Sequence, residues 1–123
     1  MVNRMADSVF RAVAPAAISA RQIAAAARAG DEIACAAFEF TGKLLGLKLA
    51  DAIAHTSPQA IILFGGLAQA GELIFAPTRR WMDEYTLNIY KGKVNLLASS
   101  LAQDNVAVLG AAALVWQQLT RGT

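Results

Sequence analysis

The stretch from Ile61 to Gly71 holds the residues whose types and spacing point most directly to chemistry. A short apolar run, 60–64, ends at Gly65 and Gly66, and a helix is predicted to begin soon afterwards. In an open parallel sheet, ligands bind beyond the carboxyl ends of the strands. Glycines there carry no Cβ, so a flat base or a phosphate can approach the backbone, and the next helix adds free N–H groups. A tight turn that uses positive φ at glycine explains the same pattern equally well.

Other reactive residues are few. One cysteine, Cys35, excludes an intramolecular disulfide, and with the single histidine, His55, it excludes a self-contained zinc site. Cys35 lies in an Ala-rich helical stretch and is interpreted as a small core residue. No Lys-Ser/Thr follows the glycines, and they do not form GxGxxG, which excludes a Walker A loop and the usual dinucleotide motif. We therefore expect no catalytic residue and no metal ligand in this chain.

Composition and charge exclude several protein classes. The chain has 123 residues, of which 56% are hydrophobic and 16% charged, which rules out intrinsic disorder. The longest apolar run is far shorter than the roughly 20 residues of a membrane span. The net charge is +2 and the basic residues are scattered, so nucleic-acid binding is weakly supported. Arg4, Asp7 and Arg11 interrupt any secretory leader, which makes the cytoplasm the expected location.

Apolar periodicity and turn residues predict the elements that position the glycines. Helices are expected at 2–13, 20–29, 31–54, 72–89 and from about 105 to 119, and strands at 60–64 and 94–99. Ser19 and Asp31 are the predicted N-caps of the second and third helices.

The helix at 31–54 carries two patterns. Large apolar residues at helical spacing predict one buried stripe of Ile33, Ala37, Phe40, Leu44 and Leu47, broadened by Phe38, Leu45, Leu49 and Ile53. Gly42 and Gly46 lie four residues apart on nearly one face, which allows another backbone to approach closely. Each glycine weakens the helix by about 1 kcal/mol.

From residue 20 onward, the order helix, helix, strand, helix, strand, helix predicts an α/β fold. The strand–helix–strand unit should be a right-handed crossover between two parallel strands. Parallel sheets are normally larger and covered by helices on both faces, so two strands indicate an incomplete domain. Its uncovered strand edge and apolar surface predict self-association.

Four blocks of the chain resemble, in order, segments of the ROK family (repressors, open reading frames and sugar kinases). They are 25–34 (AAARAGDEIA, similar to A-x-x-GD-x-x-A), 40–46 (FTGKLLG, similar to an LG helix), 57–66 (SPQAIILFGG, similar to P-x-x-I-v-l-G-G) and 107–112 (AVLGAA, similar to a terminal G-A-A helix). The resemblance extends from about Ser19 onward and is nearest to the C-terminal part of glucokinase-like members. One departure is Phe64, because many members carry a third glycine there.

The resemblance implies an actin-like ATPase fold, in which two ribonuclease-H-like domains close on nucleotide and sugar. It implies that Gly65 and Gly66 belong to the adenosine-binding segment, that Leu67, Ala68 and Gly71 continue the nucleotide site, and that the complete protein uses ATP with Mg²⁺. The family's phosphate-binding DxGGT segment, the GxD segment with its catalytic Asp, and its cysteine-rich zinc motif do not occur in this sequence. Residues 1–123 are therefore expected to be the C-terminal portion of a larger domain, inactive alone.

Three functions stay open at this point. The chain is part of an ATP-dependent sugar kinase, or the same part of a sugar-responsive transcriptional regulator, or a piece that only mediates dimerisation. A DxGGT segment upstream of Met1 would favour the kinase, and a winged helix there the regulator. The expected partners are a nucleotide and a hexose in the complete protein, and further copies of the chain.

Overall fold

A computed structural model describes residues 8–101 and 106–121. Four helices and two strands follow one another in this part of the chain: α1 (Ala20–Arg28), α2 (Glu32–Thr56), β1 (Ala60–Leu63), α3 (Glu72–Tyr85), β2 (Asn95–Ala98) and α4 (Val106–Arg121), with short 3-10 turns at Pro15–Ala17 and Ala68–Ala70. The model therefore has the predicted α/β fold class. The predicted cap of the last helix lies outside the described residues. None of the described helices is long and apolar enough to cross a membrane.

The two strands pair in parallel, as predicted. Ala60 is opposite Asn95 and Leu63 is opposite Ala98, and α3 forms the crossover between them. Ile61, Leu63 and Leu96 face the core because side chains alternate along a strand.

Two predicted helices differ from the structure. Residues 8–13 form turns rather than the end of a helix, because Ser8 and Val9 are held by hydrogen bonds to the Asp31 carboxylate and Phe10 packs against the core. Helix α3 ends at Tyr85 instead of continuing to residue 89. Thr86 is extended (φ −70°, ψ 137°), and its hydroxyl donates to the carbonyl of Met82 over 2.6 Å.

Specific hydrogen bonds close both ends of α1. The Ser19 hydroxyl accepts from the amide of Gln22, whose side chain accepts from the Ser19 amide, so α1 begins with a capping box. At the other end, the amides of Gly30 and Asp31 donate to the carbonyls of Ala27 and Ala26. This is a Schellman motif, which satisfies the last carbonyls of α1.

Asp31 is the N-cap of α2, as predicted, and it also anchors the preceding segment. Its carboxylate accepts from the amides of Ile33 and Ala34 and, from the N-terminal side, from the Val9 amide and the Ser8 hydroxyl. The backbone hydrogen bonds, first from Ala34 and then from Val9, lower the pKa of this carboxyl below its ordinary 3.8.

The buried face of α2 is not the one that its large side chains predict. Buried residues recur almost every four positions: Ala34, Phe38, Gly42, Gly46, Ala50 and Ile53. Phe40 is 64% exposed and Leu44 is 50% exposed, so the predicted stripe is wrong at these positions. Cys35 is exposed as well and is not a core residue. Helix α3 packs on this face because the small residues there let it approach α2 closely.

Gly42 and Gly46 allow the backbones of α2 and α3 to touch, as their spacing predicts. A Cβ on Gly42 would lie 2.7 Å from the Pro77 ring, and a Cβ on Gly46 would lie 2.7 Å from the Thr78 carbonyl oxygen and the Met82 nitrogen. Real Cβ atoms do not approach backbone atoms this closely. The two glycines therefore set the distance between the helices.

A polar cluster fastens the edge of the same helix pair. The indole N–H of Trp81 donates to Glu39 over 2.7 Å, and Arg80 forms an ion pair with the same carboxylate. These contacts, the Trp81 hydrogen bond first, lower the pKa of Glu39 below its ordinary 4.5. Lys43 lies 4.5 Å from the centre of the Trp81 ring, in cation–π geometry.

The outer face of the sheet and residues 107–120 of α4 leave apolar side chains in solvent. Ile62 is 59% exposed and Leu97 is 47% exposed, and both lie on the face away from α3. Residues 107–120 of α4 are exposed throughout. Surfaces of this kind favour association.

Replacing Gly46 by Ala should destabilise the chain. The new Cβ forces α2 and α3 apart, and overpacking of this kind costs about 1–3 kcal/mol in unfolding free energy, more than the helix propensity gained. Urea denaturation followed by circular dichroism measures the difference. Gly110→Ala is the matched control, because no described atom lies within 4 Å of a Cβ there. An unchanged midpoint for Gly46→Ala would contradict the close contact.

Replacing Asp31 by Ala should lower the melting temperature at pH 7. The folded-state pKa of Asp31 lies below its ordinary value of 3.8. Its stabilising contribution is therefore fully present above about pH 4 and is lost as the pH falls through the folded pKa. The difference between variant and wild type should shrink in that acidic range. Asp51→Ala is the control, because Asp51 forms only an exposed pair with Lys48 at 3.5 Å. A pH-independent difference would contradict the role of the carboxylate.

The chain should self-associate through its apolar outer surface. Analytical ultracentrifugation over a concentration series should show dimers or larger species, and Ile62→Lys should shift the distribution toward monomer. Gln59→Lys, at an exposed position just before β1, adds the same charge without removing apolar area. A wild-type monomer at high concentration would refute the expectation.

Candidate functional site

The chain leaves β1 through two glycines that differ in conformation. Gly65 has φ +96°, a value that residues with a Cβ rarely adopt, so this position requires glycine for the turn. Gly66 has no such positive φ, and no described atom lies within 4 Å of the place where its Cβ would be. The turn explains Gly65, whereas neither backbone conformation nor packing within the described chain explains Gly66.

The other three predicted site residues occupy different positions. Leu67 follows Gly66 and is 41% exposed. Ala68 begins the 3-10 turn and packs against the core, with its side chain partly buried. Gly71 is the N-cap of α3 with φ +65°, and its carbonyl accepts from the amides of Ile74 and Phe75. Gly66 and Leu67 thus lie at one open surface, whereas Ala68 and Gly71 lie in the segment that leads into α3.

A cavity of about 370 Å³ lies beside Gly66 and Leu67. On one side it is lined by the segment after β1, namely Gly66, Leu67, Gln69 and Ala70. Phe38 of α2 contributes an aromatic surface. The cavity therefore lies at the carboxyl end of β1, where open parallel sheets bind ligands.

The opposite side of the cavity belongs to α1, which the sequence interpretation did not include in the site. It is lined by Ala20, Arg21, Ala24 and Arg28, which lie on one face of the helix. The Arg28 guanidinium donates to the carbonyl of Ala70 across 3.5 Å and so connects the two sides. Helical spacing in the sequence shows that these residues share a face, but only the tertiary fold shows what that face meets.

The electrostatic character of the cavity is positive. Arg21 and Arg28 are the charged residues among those that line it, and no carboxylate is among them. Within the part of the chain that the structure describes, no three His, Cys, Asp or Glu side chains come together to hold a metal ion. The described arrangement offers apolar contact at Leu67 and attracts negative charge, but it offers no nucleophile or general base.

The sequence is similar to those of curated proteins of two kinds, a kinase and a repressor. A glucokinase of Thermotoga maritima is 30% identical over 105 residues, which cover 85% of this chain and 33% of that enzyme. The N-acetylglucosamine repressor of Escherichia coli O6:H1 is 28% identical over 102 residues, covering 83% of this chain and 25% of the repressor. The chain thus spans a quarter to a third of the length of these curated relatives.

A solved structure shows the same fold. The ROK family glucokinase from Streptomyces griseus, in complex with glucose and AMPPNP, superposes with a TM-score of 0.69 and 30% identity over 76% of this chain and 30% of that enzyme. The model of the ROK family matches residues 3–118, nearly the whole sequence. The chain belongs to the ROK family.

Proposed function

We propose that the chain is the C-terminal, nucleotide-side portion of an ATP-dependent sugar kinase of the glucokinase type. In the complete protein, a phosphoryl group passes from ATP to a hexose hydroxyl. The observation that carries the proposal is the open cavity beside Gly66 at the carboxyl end of β1. The glucokinase from Streptomyces griseus, which shares this fold, is in complex with glucose and AMPPNP.

Each residue of the proposed nucleotide site has a separate task. Gly65 sets the turn, and Gly66 leaves room for the adenine and ribose to approach the backbone. Leu67 provides apolar contact for the base. Ala68 and Gly71 anchor the segment to the core and to α3.

The described residues supply binding rather than catalysis. Phosphoryl transfer depends on positioning and on charge stabilisation around the phosphates, usually with Mg²⁺. The described side chains do not fit a protein-held metal site, because no three potential ligands converge. We propose that the chain alone is inactive, that it resides in the cytoplasm, and that it acts as an assembly of several copies.

A sugar-responsive regulator is the second candidate. Its support is the 28% identity to the N-acetylglucosamine repressor. The genomic sequence upstream of Met1 separates the two, since a DxGGT segment there belongs to the kinase and a winged helix to the regulator. A role in dimerisation alone is a third alternative, which predicts no nucleotide binding.

Replacing Gly66 by Val tests the proposed site. The branched side chain occupies the space reserved for the nucleotide, so ATP affinity should fall about tenfold or more. The melting temperature should change little, because no described atom crowds this position. Two-dimensional NMR titration measures even millimolar affinity for ATP, and thermal denaturation measures stability.

Gly65→Ala is the matched comparison for this experiment. It places a Cβ on a residue with φ +96°, so it should lower the melting temperature as well as the affinity. A Gly66→Val variant that is destabilised but binds ATP as tightly as wild type would overturn the proposed site. Failure of the folded wild-type chain to bind ATP at all would favour the dimerisation role.

A further inference from the structure

The wall that α1 contributes to the cavity carries two arginines on one helical face. Arg21 lies in the first turn and Arg28 in the last, about 10 Å apart along the helix axis. Ala24, which lies between them on this face, is small and buried and leaves space between the two stems. The two guanidinium groups therefore border one open volume.

Neither of these two cations has an acidic neighbour among the described residues. Within residues 8–101 and 106–121, Lys48, Arg79 and Arg80 each form an ion pair, whereas neither Arg21 nor Arg28 does. No carboxylate lines the cavity to offset them. Their mutual repulsion makes an anion favourable at this place.

Arg28 is held in position without losing its charge. Its only described hydrogen bond goes to a neutral acceptor, the Ala70 carbonyl, at 3.5 Å. A guanidinium has five N–H donors in a planar fork, so donors stay available for a ligand. This hydrogen bond also fixes Arg28 relative to the segment that follows Gly66.

The cavity thus combines two kinds of surface. Leu67 presents apolar area, and Arg21 and Arg28 present positive charge, supplemented by the positive N-terminal end of α1. A ligand with a flat apolar ring and an anionic chain matches both surfaces. Nucleoside diphosphates and triphosphates have this chemistry.

We propose that Arg21 and Arg28 bind the phosphate groups of the nucleotide. Helix α1 then supplies the anion-binding half of a site whose other half is the turn at Gly65 and Gly66. The inference rests on the proposed nucleotide site and adds to it two residues from a different element.

The test compares ligands that differ only in charge. Adenosine, AMP, ADP and ATP are titrated against the 123-residue chain without Mg²⁺, so that the phosphates keep their full charge. Wild-type affinity should rise along this series. Arg21→Met and Arg28→Met should each weaken ATP binding about tenfold and adenosine binding less than about twofold, because a charge-assisted hydrogen bond is lost.

Two further variants keep the result interpretable. Arg79→Met removes a cation whose partner is Glu72 and which does not line the cavity, so it should leave all four affinities unchanged. Arg28→Lys keeps the charge and should recover part of the ATP affinity. Melting curves establish that each variant is folded. If Arg28→Met does not fold, Arg21→Met, at an exposed first-turn position, still tests whether α1 binds the phosphates.

The outcomes separate the two proposals. If wild type binds ATP and the arginine variants bind it equally well, the inference about α1 is wrong and the nucleotide site stands. If the variants lose adenosine and ATP affinity by the same factor, the arginines act by packing and the inference is again wrong. If folded wild type binds none of the four ligands, the proposed function itself fails.

Discussion

The contact between α2 and α3 is the constraint on which the rest of the structure depends. Two glycines on α2, Gly42 and Gly46, let the backbone of α3 approach until side chains no longer separate the helices. This contact fixes α3 as the crossover between the parallel strands and so places the exit of β1. Because α1 is joined to the start of α2, both sides of the cavity are positioned relative to one long helix.

Local signals in the sequence were sufficient for much of the fold. Ser19 and Asp31 are caps whose side chains act within a few residues, and two short apolar runs bounded by turns became parallel strands. Which face of α2 is buried, by contrast, could not be predicted from local residues. Phe40 and Leu44 were expected in the core because large apolar residues usually are, but α3 packs where side chains are smallest.

The candidate site, too, could be predicted only in part from the sequence. The strand followed by Gly65 and Gly66 could be recognised from the sequence because a turn after an apolar strand has its own residue preferences. The separate roles of the two glycines became visible only in the structure. Gly65 has a positive φ, and Gly66 faces open space. The side formed by Arg21 and Arg28 was missed because no local pattern tells which element a helix face meets after folding.

The hydrogen-bonded junction between α1 and α2 has a consequence for ligand affinity. In the junction from Ala26 to Ala34, the Schellman motif satisfies the carbonyls of Ala26 and Ala27, and the Asp31 carboxylate satisfies the amides of Ile33 and Ala34. This leaves the junction little freedom to bend, so the two sides of the cavity are preorganised before any ligand arrives. A ligand then loses little affinity to ordering the protein. Conversely, loosening this junction would weaken binding by widening the ensemble of unbound states rather than by removing a contact.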